Sequence, residues 1–425
     1  MEMGEGASVA AVKVDPDKYL KATLIEISFN DTYKSCRSLG VITAPHWPAG
    51  KPDGYNKSKK AVVLQLGKGK SHTAKVKLKM DSKGLSGTGK LTGKIGKLVF
   101  EGEVPLSSGP HEVTVTLKEA PEMLYWARGS MSWEVNADTH AALAGNTRVE
   151  LFFVFDDPVN RKFFKSKGVW IEALRFIFKN AKLDGAKEIN EGMSRVTQGC
   201  FGLKANHYEI MEGASKFGGA TRTFKLAKYM KPALRQDEPK DDFVNCYDQA
   251  YAMIVFAGAL GLNVGGLFLE PFGFLKQTQL VGRGTCNNPF PTTKYETEVR
   301  NYNDQRLVMG ILGKKVDAKP PKLEDFLLVD AKDPDRVGFG NHMFCEYRAA
   351  GSNIYDACAG PALGTHDRAG YMANSVDTNT PENVSGFPKT EADIRNNAAD
   401  RRKLTDYTAA VIRGRTFDLE VKEVE

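Results

Sequence analysis

Three short segments of this chain carry residue types that could form and break an acyl bond. The first is Asn245-Cys246-Tyr247-Asp248-Gln249. Asn245 is a good helix N-cap, and Ala250, Met253, Ile254, Ala257 and Leu260 follow as one apolar helical face. Cys246 then falls in the first turn, at the positive end of the helix dipole, where a thiolate is favoured. The second is His342-Met343-Phe344-Cys345-Glu346-Tyr347, a strand-like run with Met343, Cys345 and Tyr347 facing away from His342. The third is Tyr355-Asp356-Ala357, with Asp356 fourteen residues after His342 and a turn at 348–352 between them. A hairpin there brings His342 and Asp356 onto one face. Asp356 can then fix the imidazole tautomer while the other ring nitrogen serves Cys246, the logic of nucleophile, base and orienter. Asn245, Tyr247 and Gln249 are candidates for the oxyanion site and cleft wall, beside the backbone N–H of Cys246. For a lone cysteine, buried packing is the commoner role. The three segments together outweigh that reading.

The elements that must position these residues lie in the second part of the chain. Helical faces are expected over 167–182, 220–230 and 245–260. Strands are expected over 277–281, 326–329, 339–347, 353–356 and 408–421. Before them, from about 18 to 157, short runs rich in Val, Thr and aromatics recur: 19–28, 61–66, 74–80, 98–104, 112–117, 131–135 and 148–155. Even spacing of short strands reads as a β-sandwich. Asp156-Asp157-Pro158 ends the last run. The expected organisation is a flexible stretch over 1–15, a β-sandwich over 16–157 and an α+β domain over 158–425. Residues 372–402 read as a long polar surface excursion.

The segment from about 245 to 361 resembles the transglutaminase-like superfamily of papain-related folds. The likeness rests on Cys246 opening a helix and on Ala259-Leu260-Gly261-Leu262 closing it. It also rests on His342-x-Phe344-x-Glu346 and Tyr355-Asp356-Ala357, in the order Cys, His, Asp. Tyr247 and Phe344 stand where the family commonly has Trp. No calcium-binding or glutamine-binding pattern of the animal enzymes is present. The resemblance implies a Cys246–His342–Asp356 triad that passes through a thioester. The substrate it implies is a protein, a peptide or a peptide-like amide. Protease, amidase, deamidase and transglutaminase share that step, and hydrolysis is the commoner outcome in the family. The rival reading is a non-catalytic binding or structural protein that keeps the scaffold.

Composition narrows the field. The chain has 425 residues, 41% hydrophobic and 26% charged, which is globular. Neither a membrane span nor an N-terminal signal peptide is legible, so residence in the cytoplasm, or export without such a signal, is expected. Six scattered cysteines without a CxxC pair, and seven scattered histidines without HExxH, point to no metal and no cofactor. Residues 51–100 hold thirteen Lys against Asp53 and Asp81. In Lys75-Val76-Lys77-Leu78-Lys79-Met80 the lysines alternate with apolar residues, as on a strand with one wet face. Nucleic acid is disfavoured by the lack of interleaved aromatics, and polyanion contact through 51–100 stands as a third reading.

Overall fold

A computed structural model describes residues 18–37, 40–42, 45–49, 61–158, 161–204, 206–209, 214–218, 223–234, 242–270, 273–275, 278–286, 293–320, 337–339, 341–349, 351–377, 411–414 and 420–422. The expectations for 1–15, for a strand over 326–329 and for most of 372–402 fall outside these residues. The fold is mixed α/β, with one large curled sheet and few helices, and agrees at a coarse level with the expected fold class. The chain divides into two compact units. One is Met1–Val159 with Lys167–Ile171, and the other is Asn160–Ser166 with Glu172–Glu425.

The first unit is built on nine hydrogen-bonded strands. Their spatial order is His46–Pro48, Tyr19–Ser28, Thr73–Lys83, Gly109–Leu117, Leu98–Pro105, Thr88–Ile95, Tyr125–Ala137, His140–Val154, Val62–Gln65. All neighbours are antiparallel except the last pair. The strand Thr88–Ile95 is an addition to the sequence reading, which took Gly84 to Gly89 as a turn only. Period-2 patterning drives the sheet. Along Thr73–Lys83 the residues Ala74, Val76, Leu78 and Met80 are buried while Lys75, Lys77 and Lys79 are exposed. Trp47, Phe29 and Phe100 meet edge-on in the core, with Phe29 5.9 Å from Trp47 and 5.8 Å from Phe100. Across the strands Lys77 lies opposite both Glu26 and Glu112, at 3.7 Å from each, and Lys75 reaches Glu112 at 3.2 Å. Lys90 pairs with Glu101 at 2.8 Å.

The second unit carries the helices. They are α1 (Ile171–Asn180), α2 (Ile189–Phe201), α3 (Leu226–Leu234), α4 (Cys246–Ala259), α5 (Thr293–Ile311) and α6 (Arg368–Ser375). The sequence reading had no counterpart for α5. Helix α4 was expected to bury one face, yet all its residues except Tyr247 are buried. Small side chains permit this, because a helix apolar all round is a core helix. A Cβ added at Gly258 would lie 2.6 Å from the Phe163 ring, so glycine allows that close approach. Beside α4 lies a five-stranded antiparallel sheet in the order Ala362–Leu363, Asn353–Asp356, His342–Tyr347, Val264–Glu270, Val411–Gly414. Cys345 Sγ contacts the Ala250 carbonyl of α4 at 3.4 Å, so the odd-numbered side chains of the histidine strand face that helix. Phe344 and Glu346 face the other way, toward α6, through Tyr371 and Arg368.

The register of Thr73–Lys83 makes a clear expectation. Leu78→Ala should destabilise the first unit by about 2–5 kcal/mol, and Lys79→Ala should change it by less than about 0.5 kcal/mol. Denaturant unfolding followed by tryptophan fluorescence reads the difference, since Trp47 and Trp133 lie in that core.

Candidate active site

Cys246 is the first residue of α4 and is 3% exposed. A capping box holds the helix start. Asn245 Oδ1 accepts from the Asp248 backbone N–H at 3.1 Å, and Asp248 Oδ2 accepts from the Asn245 N–H at 3.2 Å. Asp248 is fully buried and accepts four more hydrogen bonds, from Ser215 Oγ (2.5 Å) and from the N–H groups of Lys216 (2.9 Å), Phe217 (2.8 Å) and Gly218 (2.8 Å). The segment 215–218 is thus pinned to the start of the cysteine helix.

His342 opens its strand, and Asp356 closes the next one. The register Cys345↔Tyr355 puts Asp356 opposite Phe344, so His342 is its diagonal neighbour on the same face. His342 Nε2 and Asp356 Oδ2 are 2.7 Å apart, and both side chains are almost wholly buried. Cys246 is near enough to the ring to be among the groups that raise the His342 pKa. With Nε2 committed to Asp356, Nδ1 is the ring nitrogen left for the thiol. Burial opposes a charge on the ring, but the Asp356 charge and hydrogen bond, then Cys246, more than reverse it and raise the His342 pKa to about 10.

Asp356 is held by four hydrogen bonds. Its Oδ1 accepts from the N–H groups of Cys358 (2.8 Å) and Ala359 (3.1 Å), and its Oδ2 accepts from His342 and from the Tyr371 hydroxyl (2.8 Å). Tyr371, on α6, stacks on Phe344 at 4.6 Å, and Phe344 stacks on the His342 ring at 5.9 Å. Sequence reading missed Tyr371, which lies beyond the resembling segment. It also missed Tyr208. The strand Asn206–Tyr208 pairs in parallel with Asp242–Val244, the run leading directly into Cys246. The Tyr208 phenol is held well above its ordinary pKa by burial, and then by charge on Cys246, Cys358, Glu209 and Asp356. It remains a hydroxyl donor in the neighbourhood of the thiol. No spacing rule could have found it, because only a tertiary pairing brings 208 beside 246.

The other expected site residues have other duties. Gln249 donates from Nε2 to the carbonyls of Ala357 (2.7 Å) and Cys200 (3.2 Å) and accepts from Tyr229 at 2.6 Å. Its amide protons are spent, so it has none to offer an oxyanion. Asn245 serves as the cap. Tyr247 donates its hydroxyl to Asn341 Oδ1 at 3.0 Å and so ties the cysteine helix to the residue before His342. Glu346 is fully buried and accepts from Arg348 (2.7 Å) and twice from Arg368 (2.7 and 2.8 Å). Burial opposes its charge, but hydrogen bonds from Arg368 and then Arg348 lower its pKa overall. Three neighbouring cysteines are held as thiols by burial, Cys200 at about 12 and Cys345 and Cys358 well above their ordinary value. Cys286 lies in the strand Gly284–Cys286, and Arg283 donates to the Tyr208 carbonyl at 3.3 Å. Among the described residues no group of three His, Cys, Asp or Glu side chains could hold a metal ion. Nor, among them, is any helix long and apolar enough to cross a membrane.

No family model and no curated protein matches this chain. Among solved structures it is similar to the crystal structure of red sea bream transglutaminase, with TM-score 0.40 and 8% identity. The match covers 71% of this chain and 50% of that one, so the chain spans half the length of its neighbour. At that TM-score the likeness is coarse, and the site has to stand on its own atoms.

The raised His342 pKa has a consequence for stability. A base whose pKa is higher folded than unfolded adds stability that is complete below its unfolded value, near 6.5, and lost as pH rises through about 10. The stability gap between wild type and His342→Gln should therefore be widest near pH 6 and shrink toward pH 10. Urea unfolding across that range measures it.

Proposed function

We propose that the second unit is a thiol-dependent acyl hydrolase or acyltransferase acting on amide bonds. The observation that carries this reading is the buried His342–Asp356 pair at 2.7 Å, with Cys246 at a helix N-terminus and among the groups acting on the imidazole. In the proposed reaction the Cys246 thiol first gives its proton to His342, and the thiolate Sγ then attacks the carbonyl carbon of a peptide-like amide. The oxyanion that forms takes hydrogen bonds from the Cys246 backbone N–H and the Tyr208 hydroxyl. His342 passes its proton to the leaving nitrogen, the C–N bond breaks, and a thioester remains. The His342 ring, now neutral, takes a proton from water or from an amine as it attacks the thioester. Water yields the acid; an amine yields the transferred acyl product. In this reading the first unit, with its curled nine-stranded sheet, is the recognition module.

One observation favours a second reading, a scaffold without catalysis: Cys246 is nearly inaccessible, at 3% exposure. Alkylation by iodoacetamide separates the two. An active Cys246 should label at neutral pH, and both His342→Ala and Asp356→Asn should label at least about tenfold more slowly. Glu346→Gln, which weakens the arginine pairs, should lower stability but leave the pH profile of labelling in place. Equal labelling by wild type and His342→Ala, in folded protein, would leave the scaffold reading. Labelled primary amine and released ammonia, measured on a glutamine-containing protein, then separate transfer from hydrolysis. With either product as readout, Tyr208→Phe should lower kcat by about 100-fold or more.

A further inference from the structure

The lysines of the first unit fall into two groups. On the sheet face Lys75, Lys77 and Lys90 are paired with Glu112, Glu26 and Glu101. At one end of the sheet stand Lys68, Lys70, Lys97 and Lys118, and none of these is in an ion pair among the described residues. They line a cavity of about 910 Å³. Its walls are knit by backbone hydrogen bonds of 2.8 Å, Gly67 N–H to the Pro121 carbonyl and Lys118 N–H to the Val99 carbonyl. The turn that carries Lys68 and Lys70 has Gly67 and Gly69 at positive φ, a backbone that favours glycine. Ala120 and Met123, half-buried above the buried Leu98, Leu117 and Pro121, give the cavity an accessible apolar patch, and Glu119 and Glu122 also line it.

Each feature restricts the ligand. Four cations against two carboxylates favour an anion. None of the described residues lining the cavity is aromatic, and Tyr125 carries Lys97 Nζ at 4.5 Å from its ring centre, so no free ring face is offered to a nucleic-acid base. Glu119 and Glu122 would repel a run of acidic side chains, but they accept hydrogen bonds from hydroxyl groups. An apolar patch suits the C–H face of a sugar ring. We infer that this end of the first unit binds an acidic carbohydrate, its carboxylate or sulfate groups held by Lys68, Lys70, Lys97 and Lys118 and its hydroxyls by Glu119 and Glu122. The inference is independent of the chemistry at Cys246.

The test uses the full chain and titration calorimetry with oligogalacturonate and with heparin-derived oligosaccharides of similar length. A neutral maltooligosaccharide, an oligoglutamate peptide and oligo-dT serve as comparisons. Saturable binding of at least one acidic oligosaccharide is expected, weaker as salt is raised and absent for the neutral one. Carboxylate against sulfate is decided by which of the two binds. Lys70→Glu with Lys118→Glu should weaken binding by about tenfold or more. Lys79→Glu with Lys83→Glu, on the sheet face, should change it by less than about twofold. Circular dichroism confirms that both pairs remain folded. Failure of both acidic oligosaccharides to saturate would overturn the inference. So would an equal loss in the two pairs of variants, or tighter binding of oligoglutamate or oligo-dT.

Discussion

The second unit depends on the carboxylate of Asp356 being buried and fully satisfied. An ion at 1% exposure is tolerated only when every lone pair has a partner. Asp356 finds four: a histidine from the adjacent strand, a tyrosine from α6, and two backbone N–H groups from the turn that follows it. The four partners come from three separate stretches of chain. The demand of one charge therefore fixes the angle of the imidazole, the docking of α6 and the path of 357–359 together. The interactions that would make His342 useful to a thiol are the same ones that keep the unit folded around that charge.

Two further buried carboxylates repeat the device. Asp248 takes five hydrogen bonds and locks 215–218 and Asn245 to the start of α4. Glu346, two residues beyond Phe344, takes Arg368 at the start of α6 and Arg348 beyond its own strand. Arg368 and Tyr371 are three apart on α6, so they lie on one helical face and meet Glu346 and Asp356 respectively. Helix α6 is only eight residues long and could not hold itself in place by helical propensity. Two carboxylates of the sheet supply what its length does not. Around Cys246, charge satisfaction orders elements that apolar packing alone would leave less specified.

The parts of this arrangement that were legible in the sequence are those set by local rules. Asn245 before Cys246 reads as a cap because the capping box spans only four residues. His342 and Asp356 read as neighbours because a short turn joins two runs with strand periodicity. The alternation of Lys with Val, Leu and Met over 75–80 marks one wet face, and its glutamate partners lie on the adjacent strands. What was not legible depends on contacts between distant residues. Tyr208 and Tyr371 come from 38 residues before Cys246 and 15 after Asp356, and neither stands in a motif. Gln249 looked like a donor for the cleft because its position on the helix suited that role. Its true partners, Tyr229, Cys200 and Ala357, come from three separate segments. Helix α4 shows a face in sequence but is buried all round, since packing from several sides leaves no periodic trace when the residues are mostly apolar.

The electrostatics of the His342–Asp356 pair also order the events of the proposed reaction. A ring that keeps its proton up to about pH 10 is a poor base at neutrality and a ready acid once a departing amine presents a more basic nitrogen. Amine expulsion is then the step the protonated ring is prepared for. After it the imidazole is neutral, still tied through Nε2 to Asp356, and its attraction for a proton is what it brings to the attack of water or amine on the thioester. Asp356 stays hydrogen-bonded to the ring in both halves. It makes the first half easy by holding the imidazolium ready, and it makes the second half easy by making the neutral ring a strong base. One buried carboxylate with four fixed donors thus serves both directions of proton movement without moving itself.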